Sequence, residues 1–219
     1  MIWYNTYIYK ADGQEGYMKE RESNVLSLLE DRTNHYSRKI ALGMKTQFGW
    51  KELTYDGLGL MSRRLAAYLM NDLGLQKGEK LAILSESKPE YGACVFASVI
   101  SGLITVPLDI KLTKYELQSI LSDCLPSVML VSQSFIDKAL ELQKMIPSLK
   151  HIIVMDEHPV NDDLQSIYTI PNNYTCKWRH RSSKSTVFII YTSGTTGKPK
   201  GVETTFGNML AQLNGLKVT

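Results

Sequence analysis

The twelve residues Tyr191-Thr192-Ser193-Gly194-Thr195-Thr196-Gly197-Lys198-Pro199-Lys200-Gly201-Val202 concentrate groups suited to an anion. Four aliphatic hydroxyls, three glycines and two lysines follow one another in this stretch. Glycine reaches positive φ at little steric cost, so successive backbone N–H groups can turn inward as an anion nest. Hydroxyls add short donors, and lysines add compact positive charge for terminal phosphates. This is the chemistry of a polyphosphate cradle. It is not the common P-loop, GxxxxGKS or GxxxxGKT, because two residues separate Gly194 from Gly197 and Pro199 follows Lys198.

Other residues offer weaker chemistry. His151, His158, Cys176 and His180 lack the close CxxC or HxxxH spacing of a structural metal site, and no metal is expected there. Ser193 precedes Gly194 outside the G-x-S-x-G frame, so a hydrolase nucleophile is not supported. No acid lies between Asp163 and Glu203, while Lys177, Arg179, Arg181, Lys184, Lys198 and Lys200 supply six positive charges. Such a segment can serve an anionic ligand. The run Lys177-Trp178-Arg179-His180-Arg181 mixes base and aromatic, but a solvated connection is the simpler reading than a single-strand nucleic-acid platform.

The elements that must position the glycine-rich stretch alternate regularly. Apolar strands are predicted at Lys80–Leu84, Leu103–Pro107, Ser127–Val131, His151–Met155 and Thr186–Tyr191, with the cradle directly after the last. Helices are predicted between them: Thr54 to about Leu73, Pro89 to Ile100, a Thr113/Glu116 capping box leading to Cys124, and Ser134 to Met145. Alternation at this spacing forces crossovers, so the fold class is α/β, a mainly parallel sheet with helices on both faces. Ahead of it lie a short helix, Asn24 to Asp31, and a hairpin turning at Lys45–Gln47; Asp156 to Ser185 reads as a long connection. The expected division is 1–56 as an N-terminal extension, 57–155 as the βα-alternating part, 156–185 as connection, and 186–219 as strand, loop and helix.

Composition agrees with a globular protein. The chain has 219 residues, 43% hydrophobic and 21% charged, and a net charge of +3, too mild by itself for a nucleic-acid partner. The apolar stretch Ala93 to Leu108 is interrupted by Ser98, Ser101 and Gly102, which argues against a membrane span. Three widely spaced cysteines and the absence of a basic start followed by an apolar run lead to the expectation of a cytoplasmic protein.

The glycine-rich segment resembles, nearly residue for residue, the phosphate-binding signature of the AMP-forming, adenylate-forming superfamily. That superfamily includes acyl- and aryl-CoA synthetases, peptide-synthetase adenylation domains and firefly luciferase. LTYDGLGLMSRRLAAYLMNDLGLQKGEKLAIL and SGLITVPLDIKLTKYELQSIL resemble upstream passages of the same superfamily, in the right order. The resemblance covers about Asn24 to Asn208.

The resemblance implies an enzyme that activates a carboxylic acid, a fatty acid being the leading choice, with ATP to an acyl-adenylate, then passes the acyl group to coenzyme A. By motif position, Thr192, Ser193, Gly194, Thr195, Thr196, Gly197 and Lys198 would hold the β- and γ-phosphates, and Lys200 would sit at the loop's exit. Magnesium is implied as cofactor, with its ligand outside this chain. Alternatives are a peptide-synthetase-type adenylation domain, or a non-catalytic nucleotide-binding module. Two local departures stand out: Phe206 replaces the family's common histidine, and Ser182-Ser183-Lys184-Ser185 replaces common acids. Family enzymes are more than twice as long and carry their acid pocket and ribose-binding acid in later segments. By the same resemblance the family's catalytic lysine lies beyond Thr219, so no catalytic residue is expected within these 219 residues. The resemblance therefore implies the N-terminal part of a ligase, inactive alone and open to self-association through uncovered apolar surface.

Overall fold

The computed structural model describes residues 25–157, 159, 163–174, 176, 179, 181–192 and 199–215. The chain begins with α1 (Val25–Tyr36), longer than expected, and a hairpin of β1 (Ile40–Thr46) and β2 (Gly49–Thr54). Thr46 pairs with Gly49, so the turn is Gln47–Phe48, one residue beyond the sequence reading. Thr46 closes it by donating its hydroxyl to the Gly49 carbonyl at 2.9 Å.

Helix α2 (Tyr55–Asn71) starts where Thr54 accepts the Gly57 amide at 3.1 Å, and buries Leu58, Met61, Leu65 and Leu69 at helical spacing. After β3 (Lys80–Leu84), α3 (Pro89–Ser101) has proline in its first turn and ends at Gly102, φ 79°, where a side chain would be strained. β4 (Ile104–Pro107) leads to α4 (Lys114–Cys124), whose Thr113/Glu116 capping box is fully formed. β5 (Val128–Val131) is followed by a 3₁₀ turn, Gln133–Phe135, and α5 (Ile136–Met145), so the expected helix from Ser134 has an irregular first turn.

β6 (His151–Val154), β7 (Gln165–Ser166), β8 (Thr186–Thr192), β9 (Lys200–Thr205) and α6 (Phe206–Gly215) follow in that order. The seven-stranded sheet has the order β7-β6-β5-β3-β4-β8-β9, parallel throughout except for the antiparallel β8–β9 pair. The five predicted strands all lie in it, and the two additions, β7 and β9, sit at its edges. Strand pleating divides the core: Leu81, Ile83 and Leu130 pack into the layer of α2 and α3, while Ala82, Leu84 and Met129 pack into that of α4 and α5. The hairpin rests on α3, where Lys51 pairs with the buried carboxylate of Glu90, which also accepts the Tyr168 hydroxyl.

Candidate polyphosphate site

The glycine-rich stretch is the connection of a β-hairpin. β8 pairs with β9 from Thr186↔Thr205 to Thr192↔Lys200, so the last rung of the ladder joins the first and last residues of the expected cradle. Thr192 and Lys200 are exposed at that rung. Ser193, Gly194, Thr195, Thr196, Gly197 and Lys198 lie outside the described residues. So does Thr219, the residue beyond which the catalytic lysine was expected; the description of α6 ends at Gly215. β8 runs parallel to β4, so the loop leaves from the carboxyl end of a strand in a parallel sheet. Open α/β sheets bind their ligands outside these ends.

The stem has its own supports. Gly201 faces Tyr191 across the ladder, and a Cβ there would lie 2.8 Å from Ile189 Cγ2 and 3.1 Å from Tyr191 Cζ. The glycine lets the Tyr191 ring lie close over β9. The ring's hydroxyl donates to Asp123 Oδ2 at 2.5 Å, tying the stem to the last turn of α4. Burial first, then that bond, pushes the phenol above its usual range, so it remains a protonated donor. The Asp123 contact had no signal in the sequence, because 68 residues separate the two groups. Gly201 stood inside the motif but read only as part of the cradle.

The basic segment is used differently from the sequence reading. Arg181 is 8% exposed and donates to the carbonyls of Ser98, Val99, Leu103 and Thr186. Arg179 donates to the carbonyls of Leu75 at 2.7 Å and Ser101 at 3.3 Å. Both cations sit on the C-terminal end of α3, where the helix dipole and unpaired carbonyls favour positive charge. Burial brings the Arg181 guanidinium down to about 10, so it stays charged at neutral pH. Thr186 begins β8, so Arg181 lies at the opposite end of that strand from the loop. Neither arginine is an anion ligand there. Lys177 and His180 lie outside the described residues.

A concavity of about 560 Å³ at the β7 edge is lined by Tyr68, Glu157, Asp163 and Gln165, among others. It is at the far side of the sheet from β8, and its two carboxylates suit no polyphosphate. Among the described residues no group of three or more His, Cys, Asp or Glu side chains is placed to hold a metal ion. No helix among the described residues is long and apolar enough to cross a membrane.

A long-chain-fatty-acid–CoA ligase of Homo sapiens is 30% identical over 190 residues, covering 81% of this chain and 26% of the relative. A crotonobetaine/carnitine–CoA ligase of Escherichia fergusonii is 30% identical over 197 residues, covering 85% and 37%. The solved anthranilate CoA ligase AuaEII, in complex with anthranoyl-AMP, superposes with a TM-score of 0.73 at 26% identity, covering 87% of this chain and 36% of that one. The chain thus spans between about a quarter and two fifths of the length of these relatives. The family model described as AMP-binding enzyme matches residues 29–219, more than four fifths of the chain, and the chain belongs to that family.

Proposed function

We propose that this chain carries the triphosphate-binding part of an AMP-forming acid–thiol ligase that activates a carboxylic acid, a fatty acid being the leading choice, and delivers it to coenzyme A. One observation supports the reading most. The hydroxyl-, glycine- and lysine-rich loop joins the two residues of a hairpin rung, Thr192↔Lys200, at the carboxyl end of β8. The relatives named as fatty-acid, carnitine and anthranilate CoA ligases support the acid–thiol class.

In this reading the loop from Thr192 to Lys198 holds the β- and γ-phosphates, with Thr195 and Thr196 in direct contact, and Lys200 steadies its exit. Attack of the acid's carboxylate oxygen on the α-phosphorus forms the mixed anhydride and breaks the bond to the β-phosphate bridging oxygen. Pyrophosphate leaves with the electron pair. The loop's donors meet charge that grows on the departing phosphates, so their contribution is positioning and electrostatic stabilisation rather than covalent chemistry. Magnesium supplies further charge neutralisation when bound. The acid, ribose and thiol are held by other parts of the full enzyme, and the catalytic lysine belongs to a segment beyond Thr219.

The test is triphosphate binding by this chain, by titration with inorganic tripolyphosphate and with MgATP. The expected affinity is about millimolar, since few contacts at about 1 kcal/mol each are available. It should vanish in a Thr196→Ala/Lys198→Ala double variant. Acid-dependent ATP–pyrophosphate exchange by the chain alone should be undetectable. Equal binding by the parent and the double variant would refute the assignment of the loop, and robust exchange by the parent would refute the partial-enzyme reading.

A further inference from the structure

The stem below the loop contains a contact that the hairpin ladder itself does not require. Tyr191 stands one residue before Thr192, and its hydroxyl leaves the sheet to reach Asp123 Oδ2 on α4. The ring can take this position because Gly201, its ladder partner, has no side chain: a Cβ would press on both Ile189 and Tyr191. Ile189 and Tyr191 pack against the layer that contains Leu117, Ile120 and Leu121 of α4. β8 runs parallel to β4 with Thr105 opposite Phe188, three residues before Tyr191. By that register Pro107, the last residue of β4, lies level with Ile190, so the Tyr191 rung stands just past the end of β4. There the hairpin's own side chains help to hold its direction.

We propose that Tyr191, held by Asp123 and seated over Gly201, is a positioning residue that fixes the direction in which the polyphosphate loop leaves the sheet. The proposal rests on the triphosphate reading for its consequence, and on the contact geometry for its mechanism. A hairpin end that shifts carries Thr192 and Lys200 with it, and misplaced donors lose affinity and rate together. Tyr191 touches no phosphate in this scheme. It acts through the backbone of Thr192.

The experiment is amide hydrogen exchange on the chain, with tripolyphosphate titration alongside. Tyr191→Phe and Asp123→Ala should each raise exchange at the loop-proximal rungs, residues 190–192 and 200–202, by about fivefold, the factor expected for one lost hydrogen bond. β3 and β5 should keep their protection. Asp123→Asn retains an acceptor and should stay close to the parent. Gly201→Ala, which displaces the ring rather than the hydroxyl, should reproduce the Tyr191→Phe pattern. Tripolyphosphate affinity should fall in Tyr191→Phe by a similar factor. Unchanged exchange at these rungs, or an equal rise in β3 and β5, would overturn the proposal. So would raised local exchange with unchanged tripolyphosphate affinity. No tripolyphosphate binding by the parent, with the local exchange pattern as expected, would refute the triphosphate reading while leaving Tyr191 as the group that fixes the stem.

Discussion

Replacing Arg181 by alanine separates two roles for a basic side chain, anion ligand and internal staple. The guanidinium bonds four carbonyls: Ser98 at 3.3 Å, Val99 at 3.4 Å, Thr186 at 2.8 Å, and Leu103. Ser98 also receives the Leu103 amide at 3.0 Å, and Val99 receives the Gly102 amide at 3.3 Å, so both keep a partner after truncation. The two shorter bonds, to Leu103 and Thr186, therefore dominate the loss. At about 1.5–2 kcal/mol for each bond from a charged donor, the cost is about 3–4 kcal/mol. That is a large share of the 5–15 kcal/mol that holds a typical domain together. Urea unfolding followed by circular dichroism reads it directly. With a slope of about 2 kcal/mol per molar urea, the midpoint should fall by about 1.5–2 M. Tripolyphosphate affinity of the molecules that remain folded should stay within about twofold of the parent, since β8 places about 20 Å between Arg181 and the loop. A midpoint shift below about 0.5 M, or loss of anion affinity without loss of stability, would refute the staple.

Other outcomes follow from single contacts. Burial works to raise the Glu79 carboxyl, but the Ser127 hydroxyl, the Gln76 amide and the charges of Lys150 and Arg179 outweigh it and hold it below the usual range. A depressed carboxyl stabilises the fold fully above its unfolded value of 4.5 and loses that contribution as pH falls through the lower folded value. The difference in melting temperature between the parent and Glu79→Gln should accordingly narrow on acidification from pH 7 to pH 3, and a constant difference would contradict it. Gly92→Ala places a Cβ 2.5 Å from Leu42 Cδ1, and should loosen the β1–β2 hairpin from α3 at a cost of about 1 kcal/mol. Proteolysis within the hairpin is its readout, and unchanged nicking would count against the docking. Burial raises all three thiols, that of Cys124 to about 11. In native protein at pH 8, Cys176 should react with an aromatic disulfide ahead of buried Cys94 and Cys124, and equal rates for all three would show that the core opens freely.

The interior of the sheet was legible because its physics is local and repetitive. β3, β5 and β6 are continuous apolar runs, as strands covered on both faces must be, and Thr113 with Glu116 and Pro89 mark helix starts by their own hydrogen bonds and dihedrals. The edges were not legible. β9 reads Lys-Gly-Val-Glu-Thr-Thr and is mostly exposed, so no apolar pattern announces it; its pairing comes from the antiparallel return of β8. β7 has only two residues, too few for a period. In the connection, composition suggested a solvated basic segment, whereas Arg179 and Arg181 are consumed by carbonyls that the fold brings together from the end of α3, Leu75, Leu103 and Thr186. The candidate site was named by its motif. Of it the described residues include Thr192 and Lys200, paired at the last rung of β8 and β9, and the Tyr191–Asp123 bond below them needed three dimensions to see.

The order of the strands also carries a consequence for how the molecule assembles. β8 and β9 are neighbours in sequence and can pair within microseconds, as hairpins do. Joining β8 to β4 instead closes a loop of about 80 residues, through which β5, β6 and β7 must first find their places on the other side of β3. A hairpin that forms early and docks late makes its docking contacts, Arg181 foremost, after the barrier, so that their strength governs how fast it detaches more than how fast it arrives.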